Sequence, residues 1–320
     1  MSRLTIRGVR LLDEGSVIGV DDLYVEQTHC LTEDAEALTN HGWKKYWQID
    51  SEDLLLTINP DNKDIEWQKP SDIKTFDYQG DMVQWKNYRG VDYVSTPNHH
   101  WLRTNCHQHH SLGIDAEYKF CETQQVHNTC NDVILIGGGN PSCFAEKSIY
   151  SDEFVELVGW AVTEGSFIKL SNGSARGISI AQCESANPTN VERIRYLTSH
   201  FANVQGLNAY EQTSTARPTS QKDFYFTKEI GYQLADILGA SKCFTPEFLT
   251  NLTHRQAQLL YSTILSGDGG VSGKTTPILI QARGELTEMF QMLCAMLGKR
   301  TRCKSSQDGE FATASKGKMT

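Results

Sequence analysis

Residues 158–165 read VGWAVTEG, and far along the chain residues 262–269 read STILSGDG. Each stretch closes a run of helical periodicity, and each ends in an acid directly before a glycine. The first helix is SDEFVELVGWAVTEG: Ser151 is its cap, acids fill its first turn, and Phe154, Val155, Leu157, Val158 and Ala161 supply an apolar body. The second, THRQAQLLYSTILSGDGG, opens with Thr253 and Gln256, a capping box. The glycines are expected to let the backbone leave each helix sharply, with the acid exposed at the tip. An acid at a helix C-terminus is mildly unfavourable, so finding it twice asks for a cause. If the helices pack side by side, Glu164 and Asp268 meet at one end. Two carboxylates within about 4–6 Å repel and raise one pKa unless a divalent cation lies between them. Mg²⁺, or Mn²⁺ in its place, suits such a pair, because it is a hard ion content with one or two carboxylates plus water and substrate phosphate. Close approach needs small side chains, which Gly159, Ala161, Ser262 and Thr263 could supply. The plainer alternative is two ordinary helices, each with a charged last residue.

Around these helices the pattern repeats. GISIA (177–181), DFYFT (223–227) and TPILIQA (276–282) alternate as strands. GYQLADILG is a short helix closed by Gly239, and ELTEMFQMLCAMLGK is a helix ended by Gly298. Helix, strands, helix therefore occurs twice within residues 151–298, an α+β arrangement.

The first half is different. From Cys30 to about residue 140 come short strands, LLLTINP, DMVQW and VDYVST, stopped by Pro, Gly or Asn. Many short strands without long helical periods predict an all-β domain. GGGNPSC (137–143) reads as a linker. The histidine-rich CHQHH (106–110) reads as a polar loop, since no second ligand cluster accompanies Cys106.

With 320 residues, the chain is long enough for two domains. Its net charge is −9, unevenly spread: residues 1–150 carry −10 and residues 151–320 carry +1. The second half can therefore still offer a basic surface to an anionic partner. The nine cysteines are odd in number and form no C-x-x-C pair, so reduced thiols are expected. The charged opening MSRLTIRGVRLLDEG is unlike a signal peptide, and no apolar run reaches the ~18 residues of a membrane span. A cytoplasmic protein with no membrane partner is the expectation.

The two acid-glycine helices resemble the paired LAGLIDADG (dodecapeptide, DOD-type) helices of homing endonucleases. The resemblance implies a pseudo-twofold domain of αββαββα repeats that cuts double-stranded DNA with Mg²⁺ or Mn²⁺, with Glu164 and Asp268 as the metal-binding acids. The first motif carries Glu where Asp is commoner. SKCFTPEFL (241–249) resembles the family's Lys-x-x-Pro block, with the proline one residue later than usual, and marks Lys242 as the catalytic lysine. Strands 174–182, 222–228 and 276–282 would lie on the duplex. They bring Lys169, Arg176, Lys222, Lys228, Lys274 and Arg283 near phosphates or bases. KRTRCK (299–304) is a further candidate phosphate contact.

CLTEDAEALTNHGW (30–43) resembles the first block of inteins, the self-splicing Hint domains. VDYVSTPNHHWL (91–102) matches their T-x-x-H block, and YKFCETQQVHNTCNDVILIGG (118–138) resembles the strand before an inserted endonuclease. The implied organisation is multidomain. Residues 1–29 are the end of a host protein (the N-extein), 30–145 an all-β Hint domain, 150–310 the endonuclease domain and 311–320 a tail. Cys30 would attack the preceding carbonyl to form a thioester, His99 would protonate the leaving nitrogen, and Thr96 would hold the scissile peptide. The closing splicing blocks are missing: the chain stops at TASKGKMT, and its last asparagine is Asn251. The sequence is then a fragment, the amino-terminal part of a split element with a C-terminal split-intein partner, or a decayed domain. Three readings stay open: an active nuclease lodged in an intein, an autoprocessing domain with an inactive nuclease, and a DNA-binding remnant.

Overall fold

The computed structural model describes residues 5–10, 30–86, 92–126, 132–135, 137, 139–169, 175–213, 220–272, 276–282 and 284–303. It is mixed α/β, with several sheets and seven α-helices among the described residues. None of the described helices is long and apolar enough to cross a membrane. The chain divides into two compact units that are not contiguous in sequence.

The first unit comprises Met1–Glu33, Asp72–Ile136 and Arg300–Thr320. Thr5–Arg10 pairs antiparallel with Asp72–Asp77, and Val83–Lys86 with Asp92–Ser95. A three-stranded sheet places His100–Asn105 between Lys119–Glu122 and Asp132–Ile134. The CHQHH stretch is not a loop: it forms α1 (Cys106–Leu112). Asn105 caps it by accepting from the Gln108 amide, and Gly113 ends it at a φ of 61°. That local capping signal overrides the low helix propensity of histidine. His109 spends its Nδ1 on the Tyr118 hydroxyl, 3.0 Å away.

The second unit comprises Asp34–Ser71 and Gly137–Lys299. Its five-stranded sheet runs in the order Asn140–Pro141, Asp64–Gln68, Leu55–Ile58, Glu36–Thr39, Gly42–Lys45. The segment expected as a linker thus supplies a parallel edge strand: the Asn140 amide donates to Lys63 O (3.1 Å) and the Ser142 amide to Ile65 O (3.0 Å). Proline is tolerated there because an edge position spares the missing N–H. Trp67 Nε1 donates to Cys143 O at 2.9 Å, and Leu38 and Ile65 belong to the same apolar core as the helices that follow.

Those helices carry the expected caps. α2 (Asp152–Glu164) starts under Ser151, and every residue from Phe154 to Val162 is buried, so it is the central helix of the unit. A four-stranded antiparallel sheet follows, in the order Gly165–Lys169, Ala175–Cys183, Gln221–Thr227, Ala209–Thr213. Ile178, Ile180, Phe224 and Phe226 are fully buried and are spaced by two along their strands, so they share one face. α3 (Pro188–Ser199) and α4 (Glu229–Leu238) complete this half, in the order αββαββα. α3 begins with Pro188 at its first turn, where a missing N–H costs nothing. After the short α5 (Pro246–Thr250), α6 (His254–Asp268) repeats the pattern with Gly269–Ser272, Thr276–Leu279 and α7 (Glu285–Met296). α6 buries Gln256, Ala257, Leu260, Thr263 and Ile264, a single stripe at spacings of three and four.

Candidate functional site

The site is built on the seam between α2 and α6. A β-carbon on Gly159 would lie 2.8 Å from the Thr263 Cβ, and one on Gly267 would collide with Thr163. When Glu164 is aligned with Asp268, Gly159 aligns with Thr263 and Thr163 with Gly267. Each seam position therefore faces its own counterpart, as a twofold axis between the helices requires, and each Gly–Thr pair combines one small and one larger side chain. The threonine hydroxyls turn back to their own helices, Thr163 Oγ1 to Gly159 O (3.1 Å) and Thr263 Oγ1 to Leu259 O (2.9 Å). Of the four seam residues expected, Gly159 and Thr263 are in place and Ala161 is fully buried. Ser262 is exposed and bonds to Gln258 O instead.

The glycines after the acids act through space rather than through an unusual backbone. Gly165 (φ −81°, ψ 152°) and Gly269 (φ −93°, ψ 166°) are extended. A side chain on Gly165 would strike the Ala161 carbonyl, and one on Gly269 the Leu265 carbonyl. Each chain doubles tightly over the last helical turn and enters a strand at once, which leaves Glu164 and Asp268 half-buried at neighbouring tips.

The two acids sense each other. The Glu164 carboxyl is held above its usual range by burial first and then by the charge of Asp268, against a hydrogen bond with Gln182 and the pull of Lys242. Asp268 is likewise pushed up by burial, against the Gln281 amide, which donates to its Oδ2, and Lys242. Burial lowers the Lys242 ammonium, and Asp268 and Glu164 oppose that shift. Lys242 has a φ of 58°, a left-handed conformation costing about 1 kcal/mol or more in a residue with a β-carbon. Buried Cys243 and Phe244 anchor the turn, and Lys242 Nζ donates to Gly165 O at 2.7 Å, at the α2 tip.

Gln182 and Gln281 are site residues that sequence reasoning missed. Gly165 pairs with Ile180 and Gly269 with Leu279, so each glutamine lies two residues beyond its glycine's partner. The two halves thus share acid, glycine and glutamine in one register. A signal for them exists, since ISIAQ (178–182) and PILIQ (277–281) both place a glutamine two residues after a buried or half-buried aliphatic, Ile180 and Leu279. Among the described residues, no group of three or more His, Cys, Asp or Glu side chains gathers. Two half-buried carboxylates that stay raised despite Lys242 and the glutamines fit a hard divalent ion that keeps several waters.

The basic residues distribute unevenly. Lys169, Arg176 and Lys228 cluster at one end of the four-stranded sheet, because Lys169 pairs with Ala175 and Gly177 with Thr227; all three are exposed. Lys222 sits at the other end, 3.6 Å from Glu184. Lys274 and Arg283 lie outside the described residues. Lys299 rests over the Tyr261 ring at 4.9 Å, and Arg300, in the first unit, lies near Tyr93. On the outer sheet face, Ser166, Ser179, Tyr225 and Tyr210 form one cross-strand row, with the two tyrosine rings stacked at 5.1 Å.

In the first unit, Cys30 and Thr96 are both buried and doubly bonded: the Cys30 amide donates to Thr96 Oγ1 (3.1 Å), and the Thr96 amide to Cys30 O (3.0 Å). His99 follows in the same turn, its amide donating to Thr96 O at 3.1 Å and its ring 4.7 Å from that of Trp101. Thr123 fastens the turn by donating its amide (2.8 Å) and its hydroxyl (3.1 Å) to His99 O.

No family model matches the chain. Over 92 residues it is 30% identical to the ATP-dependent Clp protease proteolytic subunit of Chlamydomonas moewusii; that stretch covers 29% of this chain and 8% of the protease subunit. The chain thus matches only a small part of that protein's length.

Proposed function

We propose that residues 150–310 form a LAGLIDADG-type endonuclease domain that hydrolyses double-stranded DNA at a specific site. One observation supports this above others: Glu164, Asp268 and Lys242, from three separate segments, interact electrostatically at the tips of two helices joined by a reciprocal Gly–Thr seam. Glu164 and Asp268 would hold Mg²⁺ or Mn²⁺, which when bound supplies Lewis-acid activation of a phosphate and of the attacking water. Gln182 and Gln281 orient the two carboxylates. Lys242 offers an ammonium to the charge that builds on the phosphate. Lys169, Arg176 and Lys228 would neutralise backbone phosphates along the sheet. The protein is expected to enrich particular sequences from a pool of random duplexes in Ca²⁺, and to break both strands of the selected sites in Mg²⁺ or Mn²⁺ but not in EDTA. Selected duplexes that stay intact in either metal would overturn the proposal.

A second activity rests on the Cys30–Thr96 pair. In a Hint-type reaction, Cys30 Sγ bonds the carbonyl carbon of residue 29, the C–N bond breaks, and the nitrogen leaves as an amine carrying one more proton. Thr96 Oγ1 already fixes that nitrogen, and His99 is the proton donor. Residues 1–29 would be the host segment in cis. Hydroxylamine or dithiothreitol should release residues 1–29 as a peptide, and Cys30→Ala should abolish the release. Release that persists in the variant would contradict the assignment.

A further inference from the structure

Beneath the Cys30–Thr96–His99 turn lies a buried polar cluster whose hub, Thr123, has no part in the chemistry described so far. Thr123 is 4% exposed and opens the short turn Thr123–Gln125. Its hydroxyl makes three bonds: it donates to His99 O (3.1 Å), accepts from Trp101 Nε1 (2.9 Å) and lies 2.8 Å from Ser95 Oγ. A hydroxyl has one proton and two lone pairs. With that proton spent on His99 O, Ser95 must donate, and the bonding capacity of Thr123 Oγ1 is full. The Thr123 amide adds a second bond to His99 O at 2.8 Å. Each partner flanks a reacting group. Ser95 directly precedes Thr96, whose Oγ1 takes the Cys30 amide, and it bridges to Leu31 on the other side of Cys30. Trp101 sets its ring edge-on to the His99 imidazole, with centroids 4.7 Å apart. One hydroxyl thus ties the His99 backbone, and the indole against its ring, to the strand that fixes the scissile nitrogen.

We propose that Thr123 is a positioning residue for the acyl shift at Cys30, holding the His99 ring where the departing nitrogen needs its proton. This rests on the autoprocessing reading. In that step the Cys30 Sγ–C bond forms as the C–N bond breaks, the thiol loses its proton, and the nitrogen takes one from His99. A general acid works only within hydrogen-bond reach of its target, and small displacements are costly. The test treats the full chain with hydroxylamine, whose nitrogen takes the acyl group from Cys30 Sγ. Release of residues 1–29 as the hydroxamate is timed by mass spectrometry. Thr123→Val keeps the shape and drops the hydroxyl, and should slow release by about ten- to a hundredfold. Thr123→Ser should restore most of the rate. In a His99→Ala background, Thr123→Val should slow the residual release by less than about twofold, because the group it positions is gone. A merely structural role would slow both backgrounds alike. Thermal melts matching wild type exclude misfolding. If the valine variant does not fold, Trp101→Phe, which keeps a ring and drops the Nε1 bond, should show the same dependence on His99. Release from Thr123→Val at the wild-type rate, or an equal loss with and without His99, would overturn the positioning role and leave the autoprocessing reading standing. No release from the wild type, or release that persists in Cys30→Ala, would overturn both.

Discussion

Two regions of the second unit bury carboxylates and treat them in opposite ways. At the helix tips, burial dominates, and Glu164 and Asp268 are both pushed above the usual carboxylate range. In the Glu36–Thr39/Gly42–Lys45 hairpin region, the Asp53 side chain is fully buried. Burial pushes its pKa up, yet Lys44 and His41 side chains and the Asp50 amide more than offset it, and the net shift is downward. Lys44 Nζ lies 2.7 and 2.8 Å from its two oxygens and His41 Nδ1 2.8 Å from one. Burial alone therefore does not mark a functional acid. The Asp53 carboxylate is satisfied in place, whereas at the tip pair burial outweighs the pull of Lys242 and the glutamines.

The largest effect should separate the regions by function. Glu164→Gln or Asp268→Asn is expected to lower the rate of duplex cleavage about a thousandfold or more, whereas Asp53→Asn leaves the rate per folded molecule unchanged. Single-turnover kinetics on selected duplexes would measure both. Next comes stability. Asp53→Ala strands Lys44 and His41 and should cost about 3 kcal/mol, read from urea unfolding. The folded pKa of Asp53 is depressed, so this contribution is present above the ordinary carboxylate range near pH ~4 and is lost as the pH falls through the folded value. The gap between wild type and variant should close in acid. Gly159→Ala forces a methyl against Thr263 and should cost about 1–3 kcal/mol, whereas Ala at exposed Ser262 should stay within about 0.5 kcal/mol. Opposite in sign, Glu164→Gln should stabilise the metal-free protein by about 0.5–1 kcal/mol. The folded pKa of Glu164 is raised, so its penalty is present above that value and relieved as the pH falls. The gain from the variant should therefore shrink toward acid pH.

Much of this site is legible in the amino-acid sequence alone. Ser151 and the Thr253–Gln256 box fix the starts of α2 and α6, and the acid-glycine endings locate the tips. The reason for the glycines is not legible there: extended backbone and carbonyl proximity, rather than positive φ, depend on the path of the strand that follows. α3 escapes despite Asn187-Pro188, because its charged sequence, NVERIRYLTS, shows only a thin apolar stripe. The parallel edge strand at Asn140–Pro141 also escapes, since a two-residue pairing to Asp64–Gln68 leaves no periodic trace. The glutamines leave a trace in ISIAQ and PILIQ, but only strand register aligns them with the acids.

The central claim is that Glu164 and Asp268 share one electrostatic site, and a double-mutant cycle on folding stability in EDTA at pH 8 tests it most directly. Glu164→Gln and Asp268→Asn should each relieve the same repulsion, so the double variant should gain less than the two single gains together, with a coupling of about 0.5 kcal/mol or more. Gains that add within about 0.3 kcal/mol would place the carboxylates too far apart to act on one ion and contradict the account.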